Sequence, residues 1–400
     1  MAGILFWLSV LIVFYVYLGY PLILTFLAMF RPRLTTYQDL TPKVTLLISA
    51  YNEEDVIASK LENSLLLEYP RDHLQILVAA DGSDDRTVEI VRAFADRGVD
   101  LCFQPERRGK IAAISHAMPL ARHEIVVFSD ANNLYTKDAL SQLVKPFSDP
   151  TIGGVSGSKH IVKGDNSLSE ADSLYWRYES YIKIQETRLG CCVGVSGEVF
   201  AIRHSLYRTL PENIINDDFF IALNIIREGY RIVYVPEARS YEGGSLSEKD
   251  EMTRRTRIVA GRYQAMARSF SLLPGRQPFV TWQILSHKFL RPLVPFAMIA
   301  ALAGNLIALF TAHSGSYDWL HLAPPFGWLF LGFQLIFYGV AWLESRLKIG
   351  GFLGKILYVP TFLANSNLAA LLGLIYYLIG KQTVLWKRVP RHETGNSRNS

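Results

Sequence analysis

The chain has 400 residues, half of them hydrophobic and only 19% charged, with a formal net charge of +5. That is room for one large domain or two smaller ones, but it is too apolar for an ordinary soluble chain. Three cysteines, two of them adjacent at 191 and 192, exclude a disulfide framework and a cysteine metal site.

The apolar excess is not spread evenly. Ile4–Phe30, Pro292–Ala312, Leu322–Leu343 and Ile356–Gly380 contain no charged residue, and each reaches the roughly 20 residues that span a bilayer. Residues 44–251 contain no such run. The expected organisation is an N-terminal transmembrane helix (1–31), a soluble domain (43–250), basic interfacial helices (251–291), a C-terminal transmembrane region (292–381) and a disordered tail (388–400). Ile4–Phe30 lacks the basic start and small-residue cleavage site of a signal peptide. Gly19 and Pro21 predict a kink within it, and Arg31, Arg33 and Lys43 place its end in the cytoplasm.

Val44–Ala50 reads as a buried parallel strand leading into Tyr51-Asn52-Glu53-Glu54 and a helix. Leu74–Ala80 is a second strand, ending in Asp81-Gly82-Ser83-Asp84-Asp85, again before a helix. Leu101–Phe103 is a short third strand, and Arg107-Arg108-Gly109-Lys110 opens the next helix. Ile125–Ser129 is a fourth, stopping at Asp130-Ala131-Asn132-Asn133. This alternation predicts an α/β fold with a mostly parallel sheet. Beyond Pro150, strands are expected at Gly153–Val162, Val199–Arg203 and Tyr230–Val235. Helices are expected at Leu168–Arg188, from Asn216, and at Ser247–Leu272. Gln283–Arg291 reads as an interfacial helix, with Trp282, His287, Lys288 and Arg291 near lipid headgroups.

In a parallel sheet the strand ends share one edge, where ligands gather. Tyr51-Asn52-Glu53, Asp81 and Asp130 therefore converge there, a set suited to a nucleotide. Turns and helix caps explain each acid separately. Neither a Gly-x-Gly-x-x-Gly fingerprint nor a Walker phosphate loop is present, which argues against a dehydrogenase or an ATPase. Lys110 at a helix start faces either a phosphate or solvent. His160 reads as structural. Asp217-Asp218 at a helix start is a cap or, since two acids exceed what a cap needs, a general base. Arg254-Arg255-x-Arg257 either neutralises a diphosphate or touches lipid.

Taken in order, these residues resemble the membrane-bound family 2 glycosyltransferases, which have a GT-A fold, over about Val44–Met266. The resemblance implies that Ala50, Tyr51, Asn52, Glu53, Asp81, Lys110 and Asp130 bind a nucleotide sugar. It implies that Asp130 and Asn132 hold Mg²⁺ or Mn²⁺. Gly197, Glu198 and Asp217 would lie on the acceptor side, Asp218 would be the catalytic base, and Arg254 and Arg257 would stabilise the diphosphate. Two departures stand out: Asn132 replaces the second acid of Asp-x-Asp, and Ile258 replaces the tryptophan of the polysaccharide synthases. The expected protein is an inverting glycosyltransferase of the cell membrane, multi-pass, with a cytoplasmic catalytic domain. It would use a nucleotide sugar, UDP-linked by preference, and a lipid-linked or cell-surface glycan acceptor, touching membrane lipids but no nucleic acid. The rival readings are a processive polysaccharide synthase and a non-catalytic membrane scaffold or transporter subunit. The tail charges Lys381, Lys387, Arg388 and Arg391 favour a broken, re-entrant Ile356–Gly380, interrupted at Pro360 and Asn365-Ser366-Asn367.

Overall fold

The computed structural model describes residues 1–30, 32–33, 37–162, 167–243, 248–270, 273–311, 318–347, 351–381 and 385. The expected disordered tail at 388–400 lies outside the described residues, as does Arg31.

Helices α1 (Ala2–Phe14) and α2 (Tyr20–Phe30) form one apolar run joined by a π-helical turn at Tyr15–Gly19. An extra residue in the hydrogen-bond ladder bends a helix, and it does so at the predicted kink. Strand β1 (Val44–Ala50) is buried at every position, which is why it reads as an unbroken apolar run. Then follow α3 (Ile57–Leu65), β2 (Leu74–Asp81), α4 (Thr87–Arg92), β3 (Val99–Gln104), α5 (Lys110–Ala117), β4 (Ile125–Asp130), β5 (Asn133–Tyr135) and α6 (Ala139–Val144). The chain continues through β6 (Ile152–Val162), α7 (Ser167–Arg188), β7 (Phe200–Arg203), α8 (Asp217–Arg227), β8 (Arg231–Gly243) and α9 (Glu248–Ser269).

The eight strands form one sheet in the order β3-β2-β1-β4-β7-β6-β8-β5. The β1–β2, β2–β3, β1–β4 and β6–β8 pairings are parallel, and the other three antiparallel. In register, Ala50 lies beside Ala80 and Ser49 beside Asp130, so the polar loops after β1, β2 and β4 share one edge. Apolar clusters fill both faces of the sheet, one under α5 and α8, the other under α3 and α6.

Two details of the second half differ from the expected pattern. Strand β8 runs to Gly243 rather than Val235, and its far end pairs with β5 at Asn133–Glu242. Pro236, which lacks an N–H, sits in an irregularity where the register jumps from Gly157–Val235 to Ser158–Arg239. That interruption hid the continuation.

The C-terminal part comprises α10 (Pro278–Ile284), a π turn at Leu285–Phe289, a short 3₁₀ turn, α11 (Val294–Thr311), α12 (Phe326–Leu347) and α13 (Gly351–Leu378). Four helical runs are long and apolar enough to cross a membrane: Ala2–Phe30, Pro278–Thr311, Phe326–Leu347 and Ile356–Leu378. The expected interfacial helix at Gln283–Arg291 lies within the apolar helical run Pro278–Thr311. Its His287 is only 2% exposed and packs among glutamates of α7. Nor is Ile356–Gly380 broken: α13 continues through Pro360. Thr361 donates to the Ala341 carbonyl of α12 at 3.2 Å and Asn367 to the Leu363 carbonyl at 2.8 Å.

Candidate active site

The loops after β1 and β2 are tied to each other. Asn52, in the left-handed region at φ 52°, donates to Asp84 Oδ1 at 2.6 Å, and its side-chain oxygen accepts from the Asp84 N–H at 3.1 Å. The Glu53 N–H donates to Thr87 Oγ1 at 2.8 Å. The Arg107 guanidinium covers the Tyr51 ring at 3.7 Å, a cation–π contact. Asp81 is buried and accepts from the Arg108 N–H at 2.8 Å and the Gly109 N–H at 2.7 Å. It thereby fixes the turn that presents Lys110.

Lys110 Nζ donates to Asp130 Oδ1 at 2.6 Å, and Ser49 Oγ donates to the same oxygen at 3.2 Å. Burial opposes the charged form of Lys110, but the carboxylates of Asp130 and Asp217 outweigh it and raise its pKa. The lysine is firmly cationic. Behind the loop, Lys60 is fully buried and donates to the Asn133 carbonyl at 2.7 Å and to its Oδ1 at 3.2 Å. Asn133 Nδ2 donates to the Glu198 carbonyl at 3.0 Å and to Ser240 at 2.6 Å. Burial pulls the Lys60 ammonium down to about 7, against the pull of Asp130 and Glu198. The sequence reading did not single out Lys60 or Asn133. Lys60 sits on the apolar stripe of α3 with Ile57, Leu61 and Ser64, a pattern that marks an inward-facing lysine.

Asp130 and Asn132 both face a cavity of about 1590 Å³ and offer the hard oxygen donors that Mg²⁺ and Mn²⁺ favour. Among the described residues no group of three or more His, Cys, Asp or Glu could hold a metal unaided. The donor set fits an ion shared with substrate phosphates, as is usual for Mg²⁺.

Asp217 and Asp218, which also line the cavity, open α8. Asp218 Oδ1 accepts the Phe219 N–H at 2.8 Å. A Cβ at position 197 would lie 3.1 Å from Asp218 Cβ, so glycine lets the 193–198 loop press against the acid. Burial and the neighbouring Asp217 push the Asp218 carboxyl up to about 6, with Lys288 pulling the other way. Glu198 lies 3.0 Å from Lys159 Nζ, which also pairs with Glu242 of β8. Burial raises the Glu198 carboxyl, but Lys159 outweighs it and the net shift is downward. Arg257 also lines the cavity; burial depresses its guanidinium while Asp217 supports the charge. Arg254 is held in a fork by Glu251, at 3.0 and 2.8 Å. The opposite wall is α13, with Tyr358, Phe362, Leu363 and Ser366.

The cavity thus brings together Glu53, Lys110, Asp130, Asn132, Gly197, Glu198, Asp217, Asp218, Arg254 and Arg257. Ala50, Tyr51, Asn52 and Asp81 are not among its lining residues. His160 bonds Ser158 at 3.0 Å and stacks on Tyr241.

A second polar assembly borders this cavity. Tyr20 donates to Glu186 Oε1 at 2.6 Å. His287 places Nδ1 2.8 Å from Glu186 Oε1 and Nε2 3.1 Å from Glu179 Oε2. Arg291 donates to Glu179. Burial opposes ionisation of Glu179, but the charges of Arg291 and His287 outweigh it and hold the carboxyl well below its usual range. The sequence clue is the i, i+4, i+7 spacing of Glu179, Lys183 and Glu186 on one helix face.

Comparison with known proteins bears on this geometry. The profile of the family "Glycosyltransferase like family 2" matches residues 42–269. Poly-beta-1,6-N-acetyl-D-glucosamine synthase of Staphylococcus aureus (strain MSSA476) is 27% identical over 236 residues, covering 57% of this chain and 56% of the synthase. Probable glycosyltransferase YdaM of Bacillus subtilis (strain 168) is 28% identical over 239 residues, covering 55% of each. The chain spans about half the length of the curated relatives it matches. Among solved structures, mannosyltransferase PcManGT from Pyrobaculum calidifontis, in complex with GDP-Man and Mn²⁺, superposes with a TM-score of 0.70. It is 23% identical and covers 96% of this chain and 100% of that one. The chain belongs to the glycosyltransferase-like family 2, and its fold is GT-A.

Proposed function

We propose that this member of the glycosyltransferase-like family 2 is a membrane-anchored, inverting glycosyltransferase. It moves a sugar from a nucleotide sugar, UDP-linked by preference, to a hydroxyl of a lipid-linked or cell-surface glycan acceptor, with its catalytic domain on the cytoplasmic side. The observation that carries the reading is that one cavity is lined by Asp218 together with the paired Lys110 and Asp130.

In this reading Asp218 accepts the proton of the acceptor hydroxyl. The oxygen bonds to the anomeric carbon from the face opposite the departing diphosphate, so the configuration inverts. Lys110, Arg254 and Arg257 bind the charge that the diphosphate gains. Asp130 and Asn132 would hold Mg²⁺ or Mn²⁺, which supplies Lewis-acid charge at the diphosphate oxygens. Asp81 and Asn52 set the loops that receive the nucleoside. Glu198 and Asp217 orient the acceptor beside Gly197. The wall formed by α13, itself apolar enough to cross a membrane, supports an acceptor with a lipid portion.

Ile258, in place of a tryptophan platform, favours single transfer over polymerisation. The mannosyltransferase carries GDP-Man, so a GDP-linked donor is the second reading. The test is release of nucleoside diphosphate by the full chain in detergent with Mn²⁺. UDP- and GDP-sugars are offered with octyl β-D-glucoside or octyl N-acetyl-β-D-glucosaminide. Release with one donor and a glycosylated octyl product are expected; no release with any donor would overturn the reading.

A further inference from the structure

We infer that Glu179, Lys183 and Glu186 form a latch through which the membrane-side helices set the acceptor loop at 193–198, making them positioning residues for transfer but not for donor binding. The inference rests on the proposed acceptor role of that loop.

The three residues recur at i, i+4 and i+7 of α7 and so share one face. All three are buried. One side of this stripe grips the loop. Glu186 Oε2 accepts the Val193 N–H at 3.0 Å, and Lys183 Nζ donates to Ser196 Oγ at 3.0 Å. The other side grips the apolar segments. Glu186 Oε1 bonds Tyr20 and His287, while Glu179 bonds His287 and Arg291. Glu186 thus holds the loop with one oxygen and the membrane-side helices with the other.

Gly194 is where the two sides meet. A Cβ there would lie 3.2 Å from His287 Cε1, 3.3 Å from Lys288 Nζ and 3.4 Å from Lys183 Cε. Three residues further on, Gly197 presses on Asp218. A shift of His287 or Lys183 therefore moves the backbone that backs Asp218. The nucleotide loops at 51–53, 81–84 and 107–110 make none of these contacts. Buried ions are a costly way to join helices when apolar packing would serve. What they add is a fixed register between elements, here between parts of the chain more than 100 residues apart.

The test compares Lys183→Met and Lys183→Arg in the full chain in detergent. Two readouts are taken: hydrogen exchange of the 193–198 segment, and steady-state kinetics with octyl β-D-glucoside as acceptor. Lys183→Met is expected to speed exchange across 193–198 and leave exchange at 44–53 and 81–84 unchanged. It should lower kcat/KM for the octyl glycoside about tenfold and change donor KM less than about twofold, with Lys183→Arg restoring most of the loss. If Lys183→Met does not fold, Gly194→Ala displaces the same contact and is read in the same way. Unchanged exchange at 193–198 would overturn the latch, as would donor KM rising in parallel with the acceptor effect. The exchange readout needs no turnover, so a failure of the proposed function leaves this test standing.

Discussion

Lys110 donates a 2.6 Å hydrogen bond to Asp130 across the ends of two neighbouring elements, the start of α5 and the end of β4. In the proposed function this pair faces the donor phosphates. Its carboxylate is partly neutralised on one oxygen by the lysine and Ser49.

A neutral amide at position 132 holds a divalent cation less tightly than a second carboxylate would. Asn132→Asp is expected to lower the Mn²⁺ concentration needed for half-maximal nucleoside-diphosphate binding by about tenfold, since ligand charge tunes affinity. Calorimetric titration of UDP and GDP at stepped Mn²⁺ checks this. An unchanged requirement would remove residue 132 from the cation's surroundings.

Asp81 binds two backbone amides of the Arg108-Gly109 turn, so its loss acts through Lys110. Leaving those buried donors unmet costs about 1–3 kcal/mol. Asp81→Ala should lower the melting temperature and weaken nucleotide binding together. A loss of binding with unaltered stability would mean that Asp81 acts only by direct contact.

The arginines at positions 254, 255 and 257 of α9 are not equivalent. Arg254 and Arg255 both pair with Glu251, whereas Arg257 lies in the field of Asp217, Asp130 and Asp218. Arg257→Ala is expected to lower kcat by about 10² and Arg254→Ala by less, on the scale of removing one transition-state donor. Equal losses in steady-state kinetics would contradict this ranking.

Much of this was legible in the sequence. Strands β1, β2 and β4 are buried at nearly every position, and such strands read as unbroken apolar runs. Asp130, Asp217 and Asp218 stood out because acids at a strand end or a helix start interrupt that pattern. Lys60 was missed because one inward lysine on a helix does not disturb the helical period. The pairing of Glu179 and Glu186 with His287 joins residues 108 and 101 positions apart, and no local pattern encodes it. Nor did local reasoning keep α13 intact, because what satisfies its Thr361 is a carbonyl on α12.

The Asp218 carboxyl, pushed up to about 6, predicts how rate and stability depend on pH. In its proposed role as base Asp218 acts when ionised, so transfer should rise as pH increases through about 6 and level off above it. For folding, the native carboxyl keeps its proton to higher pH than the unfolded chain, whose aspartates titrate near 4. The resulting stabilisation is complete below about 4 and lost as pH rises through about 6. Asp218→Asn should therefore melt higher than the parent at pH 7.5, and a scanning-calorimetry comparison at pH 4 and 7.5 checks it.

The most direct test of the account is the Asp218→Asn variant, assayed for both sugar transfer and nucleoside-diphosphate binding. The account predicts a loss of transfer of about 10³, within the range for removing a general base, with calorimetric binding of UDP or GDP and Mn²⁺ unchanged. Turnover close to that of the parent chain would contradict it.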